Sequence, residues 1–484
     1  MKYKTEFNRR QFVVSALFSI FSVCLLVFAN AEPVCSYETE HAVVSTTATD
    51  ESSGAHSWIR GQKWGGSRIY EHNMMPTIPD VTVAAFGQYY YVMERSDQNR
   101  ITKFDVTELN ADIWQYSTRD AGDVDESIPQ DMIFVDENKA YLLRYGSDTA
   151  WIVNPSAADE ADFKIGTLDL SPYQEGDGIP EMCSGVIVGT KLFITLQRLD
   201  AASDPGVAYI AVFDTATDTE IDTGKGADGM LGIPLAIEVP GAIQYLGETG
   251  LIYVQGGGRY RSESVQYTSG IETVDLDTYD TEIVLDDGDN ADHPYGHITG
   301  MAVISADKGF FVGYRGENDN TLYYFDPSTG ITGEMSFNVS DPNYLKQKNF
   351  ASMAGGFAAD QYERLWISNV TDAKVVILNT TPNDAGEYAA DEEVSIAVNS
   401  QGEKMTPQRI VFCQEEESPP EDKPSSSGES GNFCFITSMA NAKNAIDCYG
   451  GAALWYFFLA SVCVAVVVKR NKGSVKNNLV EFAP

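Results

Sequence analysis

From residue 58 to residue 413 the chain repeats one order of apolar and polar positions. A Pro-containing polar loop leads into a short apolar segment, a tight polar turn follows, and then come two more segments rich in aromatic and β-branched residues. Short runs of this kind, bounded by turn residues, predict β-strands and leave no room for long helices. The starts fall near Pro79, Pro129, Pro180, Pro240, His297, Phe350 and Pro407, at spacings of 50, 51, 60, 57, 53 and 57 residues. A period of that length is the signature of four-stranded sheets set around an axis. The fold predicted is therefore all-β, a seven-bladed β-propeller, with six blades as the alternative count.

The second copy shows the order best. Strand Asp131 to Val135, turn Asp136 to Asn138, strand Ala140 to Leu143, turn Gly146 to Asp148 and strand Thr149 to Val153 are completed by a fourth strand, Phe163 to Leu170. Its middle, Tyr141 to Pro155, resembles the YVTN-repeat family of surface β-propellers, and so do Tyr91 to Val106, Phe310 to Arg315 with Leu322 to Pro327, and Leu365 to Asn379. That degenerate motif covers roughly residues 80–412 and implies a bacterial surface propeller. Some propellers related to this family are lactonases, but no constellation in this chain maps onto theirs.

The last copy is incomplete. Thr406-Pro-Gln-Arg-Ile-Val-Phe412 echoes Ile128-Pro-Gln-Asp-Met-Ile-Phe134, yet an acidic, Pro- and Ser-rich stretch follows at once, over residues 414–433, and reads as a linker. The last blade must borrow strands, and Trp58 to Gln62 and Ser67 to His72 are the expected donors. Pairing the two ends of the chain would close the ring and remove exposed strand edges. Residues 32–57 are left as an N-terminal extension.

Both termini change the picture. Lys2, Lys4, Arg9 and Arg10 precede an apolar run from Phe12 to Phe28 and then Ala29-Asn30-Ala31, the pattern of a cleaved signal peptide over residues 1–31. The Arg9-Arg10 pair also resembles a twin-arginine signal, so the export route stays open. Gly451 to Val468 is an uncharged run followed by Lys469, Arg470 and Lys472. At ~1.5 Å per residue it spans about 27 Å, enough for a transmembrane helix, with the tail 469–484 cytoplasmic and the propeller outside. This arrangement resembles bacterial C-terminal sorting signals, although the tail to Pro484 departs from them. The expectation is an exported, single-pass protein of the cell envelope.

The formal charge is −37, and without residues 1–31 it is −40, from 29 basic against 69 acidic residues. That excludes nucleic acid as a natural partner and favours cations or basic ligands. Cysteine use fits an oxidising compartment: Cys35 and Cys413 flank the repeats and are expected to form a disulfide, with Cys434 and Cys448 in the segment 434–450 available for a second.

Within a blade, the loop from the fourth strand into the next blade and the loop between the second and third strands emerge on one face, where repeat scaffolds gather ligand sites. The second-to-third loops carry Arg95, Arg144, Arg198, Arg259 and Arg315, against acidic entry loops. Guanidinium forks suit carboxylate or phosphate, or else each arginine pairs with a neighbouring blade's acid and staples the ring. Asp80, Gln130, Glu181, His297 and Gln408 head the inner strands and are expected to make a polar channel mouth. Asp289, Asp292, His293 and His297 offer ligands for a divalent metal, and Ca2+ on the same acidic face is a further option. No Gly-x-Ser-x-Gly, phosphate-loop or dinucleotide motif occurs. The reading is a binding module for a polar small molecule or a protein partner; a lactonase-like metal-dependent hydrolase is the alternative, requiring a metal or a His/Glu pair in the channel mouth, and His297, Glu181 and a neighbouring carboxylate grouped in one pocket would favour it.

Overall fold

The computed structural model describes residues 40–61, 68–120, 126–259, 266–341, 344–351 and 355–415. The expected signal peptide, linker, juxtamembrane cysteines and apolar run 451–468 lie outside the described residues. Among the described residues no helix is long and apolar enough to cross a membrane.

Among the described residues seven sheets, antiparallel apart from one short pairing in the sixth, follow one another along the chain. Blade 1 pairs Val81–Phe86, Tyr89–Glu94, Arg100–Asp105 and Asp112–Ser117 in sequence order. The inner strands of blades 2 to 6 are Pro129–Asp136, Met182–Val188, Pro240–Leu246, His297–Ser305 and Phe357–Ala359. Blade 3 gains a fifth short strand, Ile233–Pro234, and blade 6 gains Ser336–Phe337, parallel to Glu387–Ser395. The starts read from the sequence match these inner strands to within two residues, except in blade 6, where Phe350 lies seven residues ahead of Phe357.

Burial follows from the position of each strand. Middle strands such as Tyr89–Glu94 and Lys191–Leu196 are buried along nearly their whole length, because a neighbouring blade covers each face. The fourth strands alternate: in Asp112–Ser117 only Trp114 and Tyr116 are buried. Seven apolar clusters fill the interfaces between successive blades. An open row of seven sheets would have six interfaces, so the seventh, where Val43 and Trp58 meet Val81, Tyr90 and Val92, shows that the ring is closed.

Closure uses both ends of the folded chain, as the incomplete last repeat required. Met405–Gln414 is the inner strand of blade 7, and Glu40–Ala48, Gly54–Ile59 and Tyr70–Thr77 complete it. The expected donors are corrected in extent. Three N-terminal strands enter rather than two, and the sheet begins at Glu40, inside the segment read as an extension. His41 to Ala48 is a β-branched run followed by a polar turn ending at Gly54, the local signal of a hairpin.

Cys413 is buried, with Sγ 3.5 Å from the carbonyl oxygen of His41. Its expected partner Cys35 lies outside the described residues.

Candidate functional site

The inner strands do not run straight into the channel. In blades 2 to 5 the ladder with the second strand breaks near the strand head, between Pro129 and Asp131, Met182 and Gly185, Pro240 and Ala242, and Ile298 and Gly300. Blade 7 breaks in the same way: Val44 pairs Ile410 and Thr46 pairs Pro407, so Ser45 faces both Gln408 and Arg409. A bulge of this kind frees a residue from the ladder and re-aims its side chain. Here it turns Gln130, Gln408 and Arg409 toward the mouth of the ring.

These side chains wall a cavity of about 760 Å³. Four residues expected at the site line it: Asp80, Arg95, Gln130 and Gln408. Blades 5, 6 and 7 add Tyr314, Glu317, Asn320, Asn349, Phe350, Ser45, Thr47, Glu51 and Arg409, none of which was expected at a site.

Arg95 Nη1 donates to Asp80 Oδ1 at 2.6 Å, and the same carboxylate accepts from the Ser96 backbone N–H at 3.1 Å. Burial pushes the Asp80 carboxyl up, but the Arg95 charge and the Ser96 bonds outweigh it and hold the group below its ordinary range. Arg409 reaches from blade 7 past blade 1 to blade 2, where Nη2 donates to Asp131 Oδ1 at 2.6 Å and Nη1 to the Gln130 carbonyl at 3.3 Å. Asp131 also accepts the Met132 N–H at 2.9 Å, and burial raises its pKa despite the guanidinium beside it. Gly355, at φ +90°, leaves the room Arg409 needs: a Cβ there would sit 2.6 Å from Arg409 Cγ.

The other arginines do not reach the cavity. Arg198 donates to Tyr173 O at 2.9 Å and Val207 O at 2.8 Å and pairs with Glu175 at 2.5 Å. Arg259 grips Glu238 with both arms, at 2.7 and 3.1 Å. Arg144 lies over the Trp151 ring at 4.6 Å and 3.8 Å from Asp120. Arg315 donates to Pro294 O and is 3.4 Å from the Tyr323 hydroxyl. Arg95, Arg144, Arg198 and Arg259 each face an acid in the loop that enters their own blade, while Arg315 meets a carbonyl and a hydroxyl. The expectation that five guanidiniums form one ligand face is corrected.

Glu181 and His297 are also separated. Glu181 is buried, accepts the Leu199 N–H at 2.8 Å, and has its pKa pushed up to about 8 by burial, with Asp177 and Glu175 adding to the rise. His297 Nδ1 lies 3.3 Å from Oδ2 of the fully buried Asp287, and Tyr267 stacks on both His297 and His293. The expected metal quartet is not gathered. His293 Nδ1 turns to the Asp289 carbonyl at 3.1 Å, and the Asp289 carboxylate caps the N–H groups of Ala291 and Asp292. Among the described residues no group of three or more His, Cys, Asp or Glu side chains is placed to hold a metal ion.

The raised pKa of Glu181 has a definite sign. Its folded value lies above the unfolded one, so the native state holds the extra proton and loses stability as pH rises from about 4.5 to about 8. Glu181→Gln keeps an acceptor for Leu199 and replaces the proton with an amide donor. The variant is expected to melt above the wild type, by a margin that widens between pH 5 and pH 8.5; an equal margin at both pH values would contradict the assignment.

No protein-family model and no curated protein sequence matches the chain. Among solved structures, a candidate 6-phosphogluconolactonase from Bacteroides uniformis aligns with a TM-score of 0.50 at 10% identity, covering 78% of this chain and 100% of that one. A second, from Bacteroides fragilis, scores 0.49 at 9% identity, covering 77% and 98%. The periplasmic gluconolactonase of Pseudomonas aeruginosa scores 0.48 at 12%, covering 77% and 99%. The chain shares the β-propeller fold with the first of these. The YVTN-like stretches remain a local resemblance.

Proposed function

We propose that this chain is an exported, membrane-anchored propeller that works as a binding module, holding a polar small molecule in the cavity at the channel mouth. The supporting observation is the state of the wall. Gln130 Oε1, Asn320 Oδ1, Arg95 Nε and Arg409 Nε are buried and have no hydrogen-bond partner among the described residues. Buried polar atoms in folded proteins are nearly always satisfied, and these four belong to side chains that line one cavity. A volume of about 760 Å³ suits a small molecule. Export and anchoring rest on the pattern of residues 1–31 and 451–468.

The binding module is preferred to the lactonase-like alternative because Glu181 and His297 stand in blades 3 and 5 with different partners and neither lines the cavity. The fold shared with the gluconolactonase-named structures carries no residue correspondence at these identities.

Native mass spectrometry of the full chain in detergent is expected to show a co-purifying polar molecule. Val370→Trp, which narrows the cavity without altering its charges, should release it. A ligand retained by Val370→Trp, or a wild-type chain that carries none and takes up none from a polar metabolite mixture, would overturn the reading. Deleting residues 451–468 should move the chain from the membrane pellet to the supernatant, and a chain that stays in the pellet argues against the anchor.

A further inference from the structure

Resting on that reading, we infer that the ligand is a small organic cation, carrying an ammonium or guanidinium group beside at least one hydroxyl or carbonyl. The first ground is the charge around the cavity. Its two cations are already matched: Arg95 by Asp80, and Arg409 by Asp131. Two further carboxylates remain. Glu51, in the turn between the second and third strands of blade 7, and Glu317, in the corresponding loop of blade 5, are exposed at the rim and have no side-chain partner among the described residues. An acid or a phosphate would enter between two uncompensated negative charges with no free cation to meet it, an arrangement that disfavours anions.

The second ground is independent of charge. Asn320 is 2% exposed, and its Nδ2 donates to Lys348 O at 2.6 Å and to Asn349 Oδ1 at 3.2 Å. The atom left without a partner is therefore its carbonyl oxygen, which can only accept. Gln130, 4% exposed, leaves its oxygen unmatched in the same way, with Nε2 directed at Cys183 Sγ. Two buried acceptors under a rim of two carboxylates call for a donor-rich group, and ammonium and guanidinium carry positive charge and donate without accepting. The unmatched Nε atoms of Arg95 and Arg409 belong to guanidiniums that already hold an anion, so a neutral hydroxyl or carbonyl on the ligand satisfies them.

The field of the whole chain acts in the same direction. At −37 it attracts cations to the ring, more so at low salt.

Three probes share a six-carbon polyol skeleton and differ in charge: N-methylglucamine is a cation, sorbitol is neutral and gluconate is an anion. Calorimetric titration of the full chain is expected to give N-methylglucamine about ten-fold tighter binding than sorbitol, roughly 1.4 kcal/mol, with gluconate weakest. Added salt should erode the preference for the amine. Glu51→Gln with Glu317→Gln, both at exposed positions, should remove that preference and bring the amine and sorbitol to the same affinity. Sorbitol or gluconate binding as tightly as the amine would overturn the cation inference and leave the binding module standing. Failure of all three probes would also overturn the inference, while the co-purification experiment decides the module separately.

Discussion

Replacing Arg409 with methionine is expected to destabilise the propeller by about 3–5 kcal/mol at pH 7, the loss seen when one member of a buried ion pair is removed. Asp131 sits on the inner strand of blade 2 with its side chain 8% exposed, and Arg409 is the only guanidinium bonded to it among the described residues. Its carboxyl is already pushed up by burial with that partner in place. Without the guanidinium the choice is a lone buried carboxylate or a protonated acid, and either costs free energy at neutral pH. The sign with pH follows. The variant's Asp131 would have a folded pKa further above its unfolded value, so the penalty is largest at pH 7 and shrinks as pH falls toward the ordinary carboxylate range near 4. Urea unfolding at pH 7 and pH 4.5 should show that convergence. Asp131→Met combined with Arg409→Met should recover most of the loss, because a well-packed apolar pair is often no worse than the ion pair it replaces. A single variant within about 1 kcal/mol of wild type at pH 7 would mean that the pair does not tie blades 2 and 7 together.

Much of this arrangement was written in the repeat. The echo between Ile128-Pro-Gln-Asp and Thr406-Pro-Gln-Arg marks two inner-strand heads, and in the structure both carry a bulge. Asp131 and Arg409 are the one charged position of that echo, with opposite signs, and aligning the two copies for charge would have suggested their meeting. Asp80, Gln130 and Gln408 were legible as inner-strand heads because strand parity alone fixes which end of a blade faces the mouth. The arginine row was legible as a row, but not its use: whether a guanidinium points to a ligand or to Glu175 or Glu238 depends on the path of an entry loop, which periodicity does not encode. Glu51, Glu317 and Asn320 were invisible for another reason. They come together only after blade 7 has closed, from segments more than 250 residues apart, and no local pattern separates them from ordinary loop residues. The strand Glu40–Ala48 was missed although its hairpin with Gly54–Ile59 has a local signal, because the repeat was traced only from Trp58 onward and its other partner, Met405–Gln414, lies at the opposite end of the folded chain.

That strand carries the second large effect. Val43→Pro is expected to cost about 3 kcal/mol or more and to speed unfolding in urea, because Val43 lies in the middle of a strand paired on both sides. It stands opposite Trp58 in one ladder and Val411 in the other, and its fully buried side chain belongs to the cluster between blades 7 and 1. Proline removes one ladder donor wherever the N–H points, and the ring clashes with a neighbour where an outer strand would let it face solvent. The chain already makes that distinction, since Pro76 occupies the fourth strand of the same blade, Tyr70–Thr77, at the sheet edge. The expected loss exceeds a single hydrogen bond because Glu40–Ala48 links the C-terminal inner strand to the two N-terminal outer strands. Loosening it exposes the clusters on both faces of blade 7, and limited proteolysis should then cut first between residues 40 and 77. A variant that unfolds at the wild-type rate and is cut elsewhere would show that the pairing of the chain's two ends is not what holds the ring shut.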